Sequence, residues 1–412
     1  MKNNSEIFLS LVRLGIGHTD KSGFKFDFPL SGRRPSVQDS GSKSVDWVAL
    51  KALADSQGLT AVLLDGLDAL QEVQGSLPVQ LKLQWIGEVL QNYEQRYGQY
   101  KNAIGSLAGF YNQHGIRMMV LKGYACSLDW PKPEHRPCGD IDIWLFGQQK
   151  MADQKLVSSF RIQDQVSRSS FKIDGSHHHH TVFEWQGFTV ENHYDFVNVH
   201  AHKTGKEQEA IFKDLGDVRH TDSTESTENS SNTTQRSMAK EKVKGTNITN
   251  VLVNGESVYM PSANLHALFL IRHLANHFAS MGITLRQVLD WAFFVEMHGE
   301  DVDWPWLEGL LEKYHLKDFY SCINAICVGD LGFDVKYFPS VQFEPMLKDR
   351  VLDEILSPEF DEELPKDVIR RVIYKLRRWK GNAWKHELCY NDSLWSAFWN
   401  GVWNHLLKPS SI

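Results

Sequence analysis

The residues best suited to chemistry are two aspartates in the run Gly139-Asp140-Ile141-Asp142-Ile143. The stretch DIDIWLF, residues 140–146, alternates as a β-strand does, so Asp140 and Asp142 share one face while Ile141 and Ile143 face the core. Their Cα atoms are then roughly 6.5–7 Å apart, so both carboxylates can converge on one divalent cation or flank two. Two like charges on a mostly apolar strand are costly unless a cation neutralises them. Removing one of them is therefore expected to relieve repulsion, leaving an Asp142→Asn variant as stable as the parent or more so. Alone, the pair fits a solvent-facing edge strand better than a metal site.

The upstream residues change that balance. IRMMVL, residues 116–121, is a short apolar run that predicts a buried strand, and it leads through Lys122 into Gly123 and a helix-like stretch ending at Trp130-Pro131. A glycine at a strand-to-helix turn allows close backbone approach to a phosphate, and the helix N-terminus offers free N–H groups. Lys122 adds a cation there. Arg136 is either a clamp on a triphosphate or a brace for the Asp loop through an ion pair. A third carboxylate is needed to hold two metals and activate a hydroxyl. In FTVENHYDF, residues 188–196, Thr189, Glu191, His193 and Asp195 share one strand face. Glu191 lies mid-strand among β-formers and is the third ligand and general base, with Asp195 as the fallback.

These residues need elements to hold them. Residues 44–115 read as helices, the last starting after Pro78 and stopping at His114-Gly115. TVFEW and FTVENHYDF form a hairpin about Gln186-Gly187, and VLVNGESVYM forms another about Asn254-Gly255. Between them, residues 219–250 are rich in Ser, Thr, Asn, Glu and Lys and predict a mobile surface insertion. From Ser262 onward the chain is helical. The fold class is therefore α/β (α+β), with an N-terminal helical region 1–115, a central core 116–260 and a C-terminal helical domain 261–412.

Other signals carry less. His177 to His180 could line the site or bind a transition metal, but a polar turn explains them more simply. His273 and His277 stand one helical turn apart without the Glu of a zinc protease motif. Arg286 and Asp290 have the spacing of a helix ion pair. The helix pair over residues 264–294 is nevertheless expected to line the cleft opposite Gly123. At least one of His273, His277 and Arg286 would point in, unless all three only satisfy packing partners. The basic stretch 370–387, with Trp379 and Trp384, reads as an amphipathic helix whose Trp residues anchor it, ahead of a grip on RNA.

Lys+Arg 44 against Asp+Glu 51 gives a net charge of −7 over 412 residues, so no overall field draws the chain to nucleic acid or anionic lipid. Five scattered cysteines without a CxxC exclude a disulfide framework and a thiolate zinc site. The N-terminal residues read as a short amphipathic helix rather than a signal peptide, and the longest apolar runs are too short to span a bilayer. A cytoplasmic protein with no membrane partner is expected.

LKG at 121–123, Arg136, GDIDIWL, VENHYDF and the His-rich helix, in that order, resemble the bacterial uncharacterised nucleotidyltransferase family of the DNA polymerase β-like nucleotidyltransferase superfamily. LTAVLLDGLDAL and LIRHLANHF…LRQVLDWAFF extend the resemblance from about Trp47 to about Phe294. It implies a polymerase β-like core with a mixed sheet, flanked by helices, that uses an NTP with two Mg²⁺ (or Mn²⁺) ions. Asp140, Asp142 and Glu191 would be catalytic and metal-binding. Lys122, Gly123, Tyr124, Arg136 and Gly139 would hold the nucleotide, and His193, His273, His277 and Arg286 the acceptor. Two residues depart from the superfamily pattern: Tyr124 replaces the usual Ser or Gly, and the third acid is Glu rather than Asp. The function implied is transfer of a nucleoside monophosphate to a hydroxyl of a small molecule or protein, releasing pyrophosphate. The alternatives are a toxin-like enzyme modifying RNA and an inactive nucleotide-binding module.

Overall fold

The computed structural model describes residues 2–18, 45–70, 77–167, 171–177, 179–199, 202, 204–216, 245–339, 344–360, 367–393 and 395. Helices α1 (Lys2–Gly15), α2 (Trp47–Gln57), α3 (Thr60–Ala69), α4 (Val79–Val89) and α5 (Arg96–Gln113) come first. Asp46 caps α2 by accepting from the Ala49 N–H, and Gly58 ends it in the left-handed conformation. One π-helical stretch, Leu90–Gln95, joins α4 to α5, so the helix expected after Pro78 runs on to His114-Gly115.

The sheet is mixed and six-stranded: β1 (Met119–Val120), β2 (Ile141–Trp144), β3 (His180–Trp185), β4 (Phe188–His193), β5 (Thr249–Val253) and β6 (Glu256–Met260), in the order β3-β4-β2-β1-β6-β5. β4 pairs parallel with β2, and β1 antiparallel with β2 and parallel with β6. Both hairpins turn at the expected dipeptides, where Gln186, Gly187, Asn254 and Gly255 all have positive φ. β1 is shorter than the apolar run predicted. Of the residues expected to form a mobile insertion, 219–244 lie outside the described residues, and those from Thr249 belong to β5.

Helix α6 (Tyr124–Ser127) follows β1, and α7 (Gln149–Ser167) and α8 (Gly205–Gly216) follow β2 and β4. The C-terminal helices are α9 (Ala263–Ser280), α10 (Leu285–His298), α11 (Trp304–Lys313), α12 (Lys317–Gly329), α13 (Pro345–Leu356), α14 (Val368–Gly381) and α15 (Ala383–Cys389). A reciprocal capping box between Thr284 and Gln287 starts α10. Within the basic stretch, Trp384 packs edge-on against Phe278 and under the Arg350 guanidinium, as an anchoring residue would.

Each face of the sheet has its own core. Val120, Ile141, Ile143 and Val190 pack with Tyr100 and Leu107 of α5 and Ala152 and Leu156 of α7. The opposite face, carrying Met119, Leu121 and Trp144, packs with α9 and α10 into a core that also takes in α1 to α4. The N-terminal and C-terminal helices thus share one apolar interior, and strand alternation decides which residues look into it.

The loop between α6 and β2 is pinned to α10 by one carboxylate. Asp290 accepts two hydrogen bonds from Arg136, at 2.7 and 2.8 Å, and a third from the Trp130 indole N–H at 2.9 Å. Arg136 and Asp290 are both buried. Replacing Asp290 with Ala would leave a buried guanidinium unpaired, and destabilisation of about 3–5 kcal/mol is expected, read as a lower urea midpoint at unchanged slope.

Candidate active site

The candidate site lies on the α9-facing side of the sheet, where β1, β2 and β4 run side by side. In the parallel β2–β4 pairing, Asp142 stands directly opposite Glu191, so both side chains leave the same face. Asp140 just precedes β2 and is exposed. Its backbone carbonyl accepts the Tyr100 hydroxyl at 2.8 Å.

Gly123 makes this approach possible. Its φ of +62° and ψ of −100° fall where side chains are strained, and a Cβ there would lie 2.4 Å from the Tyr100 hydroxyl oxygen. The helix expected beyond it is a single turn, Tyr124–Ser127, too short for an anion site of its own. Tyr124 is also not a ligand-facing residue: its side chain is buried in the α5-side core and stacks near Tyr97. Its larger ring goes where apolar partners await it.

Asp142 is 1% exposed. Lys122 Nζ is ion-paired to its Oδ1 at 3.1 Å and His193 Nε2 donates to the same oxygen at 3.2 Å, while Oδ2 makes no hydrogen bond. Burial opposes its ionisation, but Lys122 and His193 hold the carboxyl well below the usual range. Burial likewise opposes charge on His193, yet hydrogen bonds to Asp142 and Glu191 push its pKa up to about 9. His193 therefore bridges two carboxylates, and it also borders the larger cavity. Although Asp140 is exposed as a residue, partial desolvation of its carboxyl at the cleft wall, with Asp142 and Glu191 beside it, raises its pKa. Asp195, the fallback acid, is ion-paired at 2.6 Å to Lys213.

The repulsion expected between the aspartates is thus largely answered at Asp142 by the chain's own cations. An Asp142→Asn change would strand Lys122 and His193, so lower rather than higher stability is expected there.

Two cavities meet at Lys122, Asp140 and His273. The smaller, about 120 Å³, has Gly123, Gly139, Asp142, Arg286 and Gln287 among its lining residues. The larger, about 410 Å³, has Glu191, His193, His179, His180, His202 and His277. α9 therefore sends His273 and His277 into the cleft, and α10 sends Arg286. Lys122 also donates to His273 Nε2 at 3.2 Å, and burial beside this lysine lowers the His273 pKa, keeping the ring neutral. Arg136 borders the smaller cavity, and its Nε and Nη2 are held by Asp290, so in this structure it braces the loop. Asp290 belongs to Arg136, and Arg286 Nε is left buried without a hydrogen bond.

His179 and His180 are the site residues that sequence reasoning set aside. The available signal is their place at the start of β3, where His180 pairs directly with His193.

The family model described as "Uncharacterised nucleotidyltransferase" matches residues 43–230 and 217–328, together more than half of the chain. The chain belongs to this family. No curated protein and no solved structure matches it. The two matched segments meet at residues 217–230, inside the Ser/Thr/Asn-rich stretch, and the match includes every strand and every residue of the cleft named above. As a nucleotidyltransferase the protein has nucleotidyl transfer as its general chemistry. No helix among the described residues is long and apolar enough to cross a membrane.

The charge on His193 has a measurable consequence in the metal-free nucleotidyltransferase. Asp142, Glu191, Lys122, His179, His180 and His273 are the ionisable groups around it. Because its folded pKa is raised, its contribution to stability is complete below about pH 6.5 and fades as pH rises through about 9. With chelator present, the melting temperature should fall between pH 7 and pH 10, and a His193→Gln variant should show a flatter profile.

Proposed function

We propose that this nucleotidyltransferase moves a nucleoside monophosphate from an NTP to a hydroxyl of a small-molecule or protein acceptor, using divalent cations held by Asp140, Asp142 and Glu191. The observation that carries the reading is the register of Asp142 against Glu191 beside two cavities that share Asp140. The same arrangement supports placing the core in the DNA polymerase β-like superfamily.

The donors suit a hard cation. Ligand atoms of Asp142, Glu191 and His193 lie within 4.8 Å of one another, and the buried Asp142 Oδ2 lacks a partner. The oxygens of Asp142 and Glu191, with Asp140 on the same cavities, favour Mg²⁺ or Mn²⁺ over softer ions, while His193 stays hydrogen-bonded to the carboxylates. When bound, such cations polarise the α-phosphate and lower the pKa of the attacking hydroxyl.

The chain's own residues divide the remaining work. Arg286, Lys122 and the Gly123 backbone border the smaller cavity and supply positive charge and close approach for the triphosphate. The acceptor enters by the larger cavity, where Glu191 faces it. Burial opposes ionisation of Glu191, but the His193 hydrogen bond lowers its pKa, so it stands ready as a carboxylate. The acceptor oxygen forms its bond to the α-phosphorus as the bond to the β-phosphate oxygen breaks. The hydroxyl proton passes to Glu191, and pyrophosphate leaves.

Asp140 is the residue on which to test this reading, because its ionised form is held at a disadvantage in the fold. Asp140→Asn should leave the metal-free melting temperature unchanged or raised. Thermal shifts with each of the four NTPs, with and without Mg²⁺, should show a metal-dependent rise for the parent chain and none for the variant. An equal rise in both would remove Asp140 from the metal site.

A further inference from the structure

The carboxylates leave unexplained the imidazoles gathered beside them. We propose that His179, His180 and His193 form a separate site for a borderline transition-metal cation of the Zn²⁺ class, open to the larger cavity. The proposal goes beyond nucleotidyl transfer and does not depend on it.

Three observations carry it. One ring nitrogen of each histidine lies within 4.8 Å of the other two. The Nδ1 atoms of all three are buried and make no hydrogen bond, and His180 and His193 are only 7% and 5% exposed. Buried polar atoms without partners are costly, and these three belong to rings whose centroids lie 4.3–5.8 Å apart, close enough for a shared partner. Finally, His193 donates its Nε2–H to Asp142, the arrangement by which a carboxylate orients a metal-binding imidazole, and a cation at Nδ1 would displace the proton that the ring carries there in the metal-free state.

The donor chemistry selects the ion. Neutral imidazoles suit Zn²⁺, Cu²⁺, Ni²⁺ and Co²⁺, whereas Mg²⁺ keeps to oxygen. Bonds of 2.0–2.1 Å to a tetrahedral Zn²⁺ put ligand nitrogens about 3.3 Å apart, so the cluster closes by small side-chain movements. Three protein ligands facing a cavity of about 410 Å³ leave a fourth position for water or another exchangeable ligand. His180 Nε2 stands 4.0 Å from Glu191 Oε1, which ties this site to the carboxylates a second time.

His202, His386 and Asp392 form another group able to hold a metal, so the test is made in a His386→Ala background. The full chain, stripped with chelator, is titrated with Co²⁺ in a large excess of Mg²⁺. One Co²⁺ per chain should bind with the intense visible absorption of tetrahedral coordination, and Zn²⁺ should displace it. Adding His179→Gln and His180→Gln should weaken binding at least about tenfold, with the metal-free melting temperature preserved. If the double variant does not fold, the single His179→Gln change, on the less buried ring, gives the same reading. No Co²⁺ binding in the presence of Mg²⁺, or binding that the glutamines leave unchanged, would overturn the site. NTP binding with Mg²⁺ is measured separately, so either result leaves the other reading intact.

Discussion

An ionised carboxylate at 1% exposure cannot persist without charge brought to it, and Asp142 draws its neighbours into place for that reason. Lys122 comes from the end of β1 and His193 from the end of β4, on either side of β2. Behind Lys122, the neutral His273 of α9 accepts a hydrogen bond from it. Three strands and a helix thereby meet at one charge. The strand order that sets β1 and β4 on opposite sides of β2 is what lets both cations reach it.

Much of this was legible because β-structure is local in its parity. Alternation alone put Asp142 and Glu191 on faces that could meet, and both hairpin turns followed from dipeptides tolerant of positive φ. What the sequence did not reveal depends on pairs far apart in the chain. Arg136 meets Asp290 across 154 positions, so neither a triphosphate clamp nor an i,i+4 pair with Arg286 could be ruled out from spacing. Tyr124 follows the turn glycine, but only the packing of α5 against β1 shows that its ring turns inward. His179 and His180 looked like a polar turn because their partner, His193, lies on the adjacent strand.

The helices that flank the sheet contribute differently from the strands. α9 packs Leu265, Leu268, Ile271 and Leu274 into the core it shares with the N-terminal helices. His273 and His277, one turn apart, escape that core toward the cleft, and their rings contact each other at 4.2 Å. α10 begins at the capping box of Thr284, which sets Arg286 at the mouth of the smaller cavity and Asp290 one turn deeper, against Arg136. The Arg136–Asp290 pair also matters to Arg286. With Asp290 already taken, the neighbouring cations disfavour each other, and burial together with Arg136 lowers the Arg286 pKa. A half-buried guanidinium with a buried, unpartnered Nε beside a second guanidinium attracts an anion.

The two cavities therefore differ in electrostatic character although they share a wall. The smaller holds Arg286 and Lys122 against Asp140 and Asp142, a balance that a polyanion accompanied by cations would complete. The larger is lined by imidazoles, of which burial lowers the pKa of His179 to about 3 and of His180 and His277 to about 4. Neutral rings can orient an uncharged hydroxyl without competing for phosphate. His193 is the exception, charged because two carboxylates demand it, and it stands where the two environments join. Any cation placed between Asp142 and Glu191 must compete with this imidazolium and with Lys122, so the metal-free state carries its own counter-charges. That competition would set a threshold: a cation would gain a hold only where its attraction to the carboxylates, reinforced by the phosphates of a nucleotide, exceeded what Lys122 and His193 already supply. Binding of metal and nucleotide would then be mutually dependent, as a consequence of the charges that stabilise the fold without them.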